Sequence, residues 1–230
     1  MSSPTSIRTH GVALAWARRA PATWARALYY RGMLRLLRAL FAPTTVEWPQ
    51  DASLLSVDPD QPLVIVANHT SHVDTMVLGT TLPRAIRKRL VVAAAADYFF
   101  TNPLSSLVST VCIGAIPVER TKVNRTTLEL CQHLLGEGHV LLLYPEGGRS
   151  PDPTVIQPFK PGAAWIARRG GVAVLPVHLH GTGDVLAKGS SIPHRHRVRV
   201  RFGEPLRCDA DEDAREFSAR IEAAVRQLAR

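Results

Sequence analysis

Cysteine is scarce in this chain, and the few cysteines lie far apart. Only three occur in 230 residues, at Cys112, Cys131 and Cys208, and none belongs to a CxxC pair. An odd and dispersed set argues against both a disulfide framework and a zinc knuckle. The sequence therefore predicts no cysteine metal site, and it favours a reducing, cytoplasmic setting.

Aromatic residues are also few, with four Trp, four Tyr and six Phe, and no run of Lys or Arg alternates with them. A groove that stacks bases needs such interleaving, so we expect no nucleic acid partner. Basic residues outnumber acidic ones by 28 to 19, which gives a formal net charge of +9. This excess predicts an anionic partner, either a phosphorylated substrate or an acidic bilayer surface.

The chain has no signal-peptide profile, because arginines recur throughout its first 40 residues. Residues 98–118 carry no formal charge over 21 positions, which is the length of a membrane span. Pro, Asn, Ser and Thr interrupt this stretch, so it favours a buried helix followed by a strand. We expect no spanning helix here.

The N-terminal part is basic and amphipathic. A helix is predicted over residues 22–41, with Arg31, Arg35 and Arg38 at positions i, i+4 and i+7 and with Leu, Trp and Tyr elsewhere. Such a helix either lies in a membrane interface or packs on the protein with a solvated arginine face. We expect residues 1–45 to form this segment and residues 46–230 to form one domain.

Short apolar runs alternate with helical patterns after a Pro-, Asp- and Ser-rich linker at residues 44–61. Strands are predicted over residues 63–67, 90–95, 111–118, 140–144 and 172–177, and helices over 75–82, 104–109, 126–136 and 161–169. Residues 197–202 alternate strictly and predict a half-exposed edge strand, and a final helix begins near residue 211. The pattern predicts an α/β fold, with a mostly parallel central sheet covered by helices on both faces.

The segment VANHTSHVDTMV, residues 66–77, puts polar groups directly behind a buried strand. His69 is expected at the carboxyl end of that strand, where open α/β sheets place their sites. His69 and Asp74 would point about 140° apart in one continuous helix, so pairing requires the helix to begin between them. A paired carboxylate would orient the imidazole as a general base. Ser71 fits a helix cap.

Two further motifs are GAIPVER, residues 114–120, and YPEGGRS, residues 144–150. Each includes an arginine suited to phosphate, and glycines allow a ligand to approach the backbone closely. A carboxylate such as Glu146 could hold an arginine in place. Alone, Arg120 and Arg149 are equally explained as solvated surface charges.

Together these motifs resemble the glycerolipid acyltransferase family that includes lysophosphatidic acid acyltransferases. The family's NHxSxxD pattern matches Asn68, His69, Ser71 and Asp74, and its later motifs match residues 114–120, 144–150 and 175–177. The segment FKPGAAWIA, residues 159–167, is also similar. The chain departs from the pattern at Gly148, where threonine is usual, and at Pro117.

The resemblance implies acyl transfer from an acyl thioester to a lysophospholipid hydroxyl, with 1-acyl-sn-glycerol-3-phosphate as acceptor and phosphatidic acid as product. His69 would be the general base and Asp74 its partner. The substrate-binding residues that it implies are Gly114, Arg120, Glu146, Gly147 and Arg149. No cofactor or metal is expected, and acyl-CoA or acyl carrier protein would deliver the chain. The enzyme would work at the cytoplasmic face of the cell membrane, as a peripheral or monotopic protein on anionic lipids.

Other interpretations stay open from the sequence. The acceptor could be another lysolipid or a polyol lipid, and water as acceptor would make the protein a thioesterase. A peripheral lipid-binding protein without turnover is a further alternative, although His69 and Asp74 argue against it. A metal-dependent hydrolase could be built from His69, His72, Asp74, His178 and His180.

Overall fold

The computed structural model describes residues 20–49, 61–95, 114–118 and 125–230. The strands in these ranges are β1 Thr44–Glu47, β2 Leu63–Ala67, β3 Leu90–Ala95, β4 Ala115–Val118, β5 Val140–Leu143, β6 Ala173–His180 and β7 Val198–Phe202. The helices are α1 Ala20–Arg31, α2 Met33–Phe41, α3 Val73–Thr81, α4 Arg84–Lys88, α5 Arg125–Gly136, α6 Gly162–Gly170, α7 Thr182–Val185 and α8 Ala214–Leu228. The helix expected at residues 104–109 lies outside the described residues.

The described strands form one sheet in the order β1-β7-β6-β2-β5-β3-β4. All neighbours are parallel except β6 and β7. Parallel neighbours need crossover connections, and helices supply them on the two faces of the sheet. The predicted α/β class with a mostly parallel sheet is confirmed.

Two apolar cores lie on opposite faces of the sheet. Leu63 and Ile65 of β2 face one core together with residues of α3 and α4, whereas Val64 and Val66 face the other, with α5, α6 and α8. All five residues of β2 are buried, as expected for a strand covered on both sides. The strand that leads into His69 is therefore enclosed on both faces of the sheet.

The sequence interpretation was wrong about one end of the sheet. The segment TTVE, expected to be linker, forms β1 and pairs in parallel with β7 from Thr44↔Val198 to Glu47↔Arg201. Consequently β7 is an interior strand, although its alternating burial is as predicted. The proposed domain boundary at residue 45 falls inside β1, so the sheet begins slightly before it.

The helix expected over residues 22–41 is divided at Gly32 into α1 and α2. Tyr30 and Leu34 are buried, and the Tyr30 ring lies against Gly79 of α3 so closely that a side chain there would collide with it. No helix among the described residues combines the length and apolar character that crossing a bilayer requires.

The final helix is confirmed, but it begins at Ala214 because Asp213 caps it. The Asp213 carboxylate accepts hydrogen bonds from Arg215 N and Glu216 N, and Asp213 N donates one to the Glu216 carboxylate. This capping box fixes the first turn. Phe217 and Ile221 then pack into the core that also holds α5 and α6.

Candidate active site

The expected pairing of His69 with Asp74 is present. His69 lies two residues after β2 and Asp74 lies in the first turn of α3, so the helix begins between them. The distance from His69 Nδ1 to Asp74 Oδ2 is 2.8 Å. The His69 side chain is 16% exposed and Asp74 is fully buried. With Nδ1 bound to the carboxylate, Nε2 is left for a ligand, and it has no hydrogen bond within the described part of the chain.

The Asp74 carboxylate is held by the backbone that precedes its own helix. Its Oδ2 accepts hydrogen bonds from Thr70 N at 2.8 Å and Ser71 N at 3.0 Å, in addition to the contact with His69. Backbone N–H groups near a helix start favour a negative charge. Three donors on one oxygen fix the orientation of the carboxylate and, through it, that of the imidazole.

Ser71 contributes to this loop as a link rather than only as a cap. Its hydroxyl accepts a hydrogen bond from Val73 N and donates one to Leu186 O, at 3.2 and 2.7 Å. Asn68 forms a comparable link, because its amide exchanges hydrogen bonds with Leu179 N and Leu179 O at 2.7 and 2.9 Å. The loop around His69 is thereby joined to β6 and to the segment after it.

The Tyr144 ring supports the imidazole from the side of β5. The two rings are stacked with centroids 4.1 Å apart and an interplanar angle of 18°, and the Tyr144 hydroxyl lies 2.9 Å from Thr75 Oγ1. Desolvation, together with the charge of Asp74, raises the pKa of Tyr144 well above its ordinary value. Tyr144 is therefore a neutral phenol that limits rotation of the His69 ring.

Glu146 binds the backbone of His69 rather than an arginine. Its Oε1 accepts from His69 N at 2.6 Å and its Oε2 accepts from Gln157 N at 3.0 Å. Ser150 N in turn donates to His69 O at 2.7 Å. Burial raises the pKa of Glu146, and the two backbone hydrogen bonds oppose that shift. The turn after β5 thus binds both the backbone N–H and the backbone carbonyl of His69. A contact of Glu146 with substrate stays a prediction.

The turn at residues 147–149 has the features of an anion site. Gly147 has a φ of 75°, and a side chain at this position would meet Lys160 Nζ at 2.5 Å, so this ammonium lies over the turn. Within the described residues, the N–H groups of Gly148 and Arg149 and the Arg149 guanidinium make no hydrogen bond or ion pair. A Cβ at Gly148 would have open space around it. Lack of space therefore does not explain why glycine stands here where the resembling family usually has threonine.

Gly114 is not brought to this edge of the sheet. The register across β3 and β5 places Ala115 beside Ile65 in the direction along the strands. Gly114 is therefore about five residues, or roughly 16 Å, nearer the amino ends of the strands than His69. Its φ of 74° gives a backbone reason for glycine. Gly114 therefore lies away from His69 in the sheet, and its contact with substrate stays a prediction. Arg120 follows β4 but lies outside the described residues, so its contact with phosphate stays a prediction.

The five residues considered as metal ligands do not form a ligand set. No group of three or more His, Cys, Asp or Glu side chains in the described ranges is arranged to hold a metal ion. His178 is buried in β6, and burial, with His180 and Arg201 nearby, lowers its pKa to about 4. Asp74 Oδ2 is already engaged by His69 Nδ1, Thr70 N and Ser71 N.

The sequence indicates no role for Gln157 or Lys160, and it assigns none to Asn68 or Tyr144 within their motifs. Tyr144 stood within a recognised motif, but only the pairing of β2 with β5 brings its ring onto His69. The sequence contained no signal for that pairing.

A sequence model of the family described as Acyltransferase matches residues 50–180, which include the His69 loop and the turn after β5. More than half of the chain is matched, and the chain belongs to this family.

Curated relatives agree with this membership, and one solved structure shares the fold. The chloroplastic 1-acyl-sn-glycerol-3-phosphate acyltransferase LPAT1 of Arabidopsis thaliana is 31% identical over 150 residues, covering 64% of this chain and 40% of that protein. The 1-acyl-sn-glycerol-3-phosphate acyltransferase of Bacillus subtilis is 27% identical over 148 residues, covering 64% and 68%. The chain thus spans less than half the length of the plant relative. The crystal structure of the 1-acyl-sn-glycerophosphate acyltransferase PlsC from Thermotoga maritima shares the fold, with a TM-score of 0.68 at 20% identity over 95% of this chain and 86% of the other.

Proposed function

We propose that the protein transfers an acyl chain from an acyl thioester to the free hydroxyl of a lysophospholipid, with 1-acyl-sn-glycerol-3-phosphate as acceptor and phosphatidic acid as product. The observation that carries the proposal is the contact of 2.8 Å between His69 Nδ1 and Asp74 Oδ2, which leaves Nε2 without a protein partner in the described chain. The names of the plant and Bacillus relatives support the same reaction.

The reaction begins when the acceptor hydroxyl attacks the thioester carbonyl carbon and its proton passes to His69 Nε2. The imidazolium that forms is stabilised by the Asp74 carboxylate, which also fixes the tautomer. The tetrahedral intermediate then collapses, the carbon–sulfur bond breaks, and the proton on His69 passes to the leaving thiolate. The products are an ester and a free thiol, so no metal, cofactor or acyl-enzyme is required.

The acceptor phosphate is proposed to bind at the turn after β5. The N–H groups of Gly148 and Arg149 and the Arg149 guanidinium are available there, and Lys160 Nζ lies over Gly147. Planar guanidinium groups bind phosphate oxygens in pairs, and successive backbone N–H groups form anion-binding concavities. Ser150 N bonds to His69 O, so a phosphate at this turn would lie beside the general base.

Association with the cytoplasmic face of a membrane is proposed to occur through α1 and α2. Four large apolar side chains of these helices are exposed, with exposed fractions between 48% and 76%, while Tyr30 and Leu34 bury the opposite side. The exposed set, called the apolar stripe below, comprises Trp24, Leu28, Leu36 and Leu40. Arginines flank this stripe, which suits an interfacial helix on anionic lipid. Replacement of Leu36 and Leu40 by Ser should reduce sedimentation with anionic vesicles, and undiminished sedimentation would contradict this assignment.

One experiment tests the proposed reaction directly. The purified protein is incubated with a radiolabelled acyl thioester, delivered as acyl-CoA or as acyl-acyl carrier protein, and with a panel of lysolipids and polyol lipids. We expect labelled phosphatidic acid from lysophosphatidic acid. Labelled free fatty acid alone would indicate a thioesterase, and no turnover of any thioester would indicate a lipid-binding protein.

The phosphate assignment is tested by Arg149→Ala in the same assay. We expect the KM for lysophosphatidic acid to rise far more than the KM for the thioester, since the guanidinium is assigned only to the acceptor. Arg169→Ala, an exposed arginine at the end of α6, is the control. Equal effects on both substrates would contradict the assignment.

A further inference from the structure

A second exposed surface lies next to the apolar stripe, and the proposed reaction does not account for it. Residues 187–197, here called the basic loop, read AKGSSIPHRHR and contain Lys188, Arg195 and Arg197, two histidines and no acidic residue. Every residue of the loop is exposed. The loop therefore concentrates positive charge at one place on the surface.

Hydrogen bonds join the basic loop to both the active site and the membrane helices. Lys188 Nζ donates to Arg149 O at 2.9 Å, in the turn assigned to the acceptor phosphate. His196 N donates to Phe41 O, the last residue of α2, at 3.0 Å, and His194 N donates to Val185 O at 2.7 Å. The loop thus extends from the catalytic turn to the end of the helix that carries Leu36 and Leu40.

Unlike Lys188, the two arginines of the basic loop have no partner among the described residues. Neither the Arg195 nor the Arg197 guanidinium makes a hydrogen bond or an ion pair in the parts of the chain that the structure describes. The nearby carboxylate of Asp184 lies 3.8 Å from His196 Nδ1. Removing the positive charges of Arg195 and Arg197 is therefore not expected to unfold the protein.

An apolar residue stands within this charged segment. The Ile192 side chain is 69% exposed, and its position is set by hydrogen bonds of the Ser190 hydroxyl with Ile192 N and Ile192 O, both at 3.2 Å. An exposed isoleucine between cations matches a bilayer interface, where apolar groups enter the acyl boundary and cations meet anionic headgroups.

We propose that the basic loop is a second membrane contact, which binds anionic phospholipid headgroups and holds the catalytic turn against the bilayer. The proposal rests on the proposed function, because it assumes an acceptor that resides in a membrane. Charge complementarity and continuity with the apolar stripe through Phe41 favour a bilayer over an acidic protein, since an acidic protein would not require the exposed Ile192.

The test compares the full-length protein with the double variant Arg195→Gln/Arg197→Gln. Each arginine near an anionic surface contributes about a fivefold gain in partitioning, so the double variant should bind phosphatidylcholine–phosphatidylglycerol vesicles about 30-fold more weakly. Binding to pure phosphatidylcholine vesicles should stay the same. The wild-type advantage should shrink as salt is raised, because screening weakens surface electrostatics.

The matched control is Arg168→Gln/Arg169→Gln, which removes the same charge at the exposed end of α6. Anionic-vesicle binding of the Arg195/Arg197 variant within twofold of wild type, or an equal loss in the control, would overturn the proposal. A selective loss of binding to acyl carrier protein, with vesicle binding retained, would also overturn it.

A separate assay tests the proposed acyl transfer independently of the membrane contact. Acyl transfer to a monomeric, short-chain lysophosphatidic acid requires no vesicle, and we expect the Arg195/Arg197 variant to retain the wild-type rate there. A wild-type protein that binds anionic vesicles through these arginines but transfers no acyl chain would refute the reaction and leave the membrane contact standing.

Discussion

Substitution of Asp74 by Asn isolates the charge of the proposed His69–Asp74 pair. All three hydrogen bonds to the carboxylate, from His69 Nδ1, Thr70 N and Ser71 N, converge on Oδ2. An amide oxygen can take that place and accept the same three bonds. The variant should therefore fold normally and keep the imidazole in position, while losing the negative charge that faces the imidazolium in the transition state.

The expected loss follows from the separation of the two groups. Charge centres about 4 Å apart interact by about 4 kcal/mol at an effective dielectric constant of about 20. That energy corresponds to roughly a 10³-fold decrease in kcat. Asp74→Ala should cost more, because it also leaves Thr70 N and Ser71 N without acceptors in a buried place.

The assay is the rate of labelled ester formation under saturating lysophosphatidic acid and acyl thioester, alongside urea unfolding of each variant. We expect Asp74→Asn to match the wild-type free energy of unfolding to within about 1 kcal/mol, the usual scale of a single hydrogen bond. A folded Asp74→Asn protein with a kcat less than about tenfold below wild type would refute the electrostatic role assigned to the pair.

Three further substitutions, one of them with a control variant, test the loop that holds His69 and a buried histidine of β6. Glu146→Gln leaves His69 N or Gln157 N facing an amide donor, so the free energy of unfolding should fall by about 1–3 kcal/mol in urea titrations, and acyl transfer should fall with it. Gly147→Ala puts a side chain at a φ of 75° and against Lys160, so urea unfolding should show a loss of about 1–2 kcal/mol. Gly148→Ala, which has open space and no positive φ, is its control. His178→Gln should remove a pH-dependent part of stability. Folding lowers the pKa of His178 from 6.5 to about 4, so the unfolded chain binds the proton at a higher pH than the folded protein does. Between pH 7 and pH 5 the free energy of unfolding of the wild type should therefore decrease by about 2 kcal/mol more than that of the variant.

Each of these predictions has a contrary outcome. Wild-type stability in Glu146→Gln would show that the clamp on the His69 backbone is not needed. Equal effects of alanine at residues 147 and 148 would remove the assigned role of the left-handed backbone. Parallel loss of stability with falling pH in wild type and His178→Gln would show that other groups govern the acid response.

The sequence was sufficient to predict the core of the sheet and the contact between His69 and Asp74 because both depend on local pattern. Continuous apolar runs such as β2 predict buried strands, and the five-residue spacing of His69 and Asp74 permits contact only if a helix begins between them. β1 could not be predicted, since TTVE is short and stands in a Pro-rich segment. Its partner, β7, follows more than 150 residues later in the chain.

In the site, too, contacts between residues close in the chain could be predicted, whereas contacts between residues far apart in the chain could not. Glu146 was recognised as significant, but its clamp on His69 depends on β2 and β5 being neighbours, which is not encoded in either motif alone. Gly114 was expected inside a strand over residues 111–118, whereas it immediately precedes β4 and lies toward the amino ends of the strands.

The most direct test of the central claim is acyl transfer by His69→Ala. With radiolabelled acyl thioester and lysophosphatidic acid, we expect the variant to form phosphatidic acid roughly 10²–10⁴-fold more slowly than wild type, while its urea unfolding curve shows a folded protein. Phosphatidic acid formed at the wild-type rate by a folded His69→Ala protein would contradict the assignment of His69 as the general base.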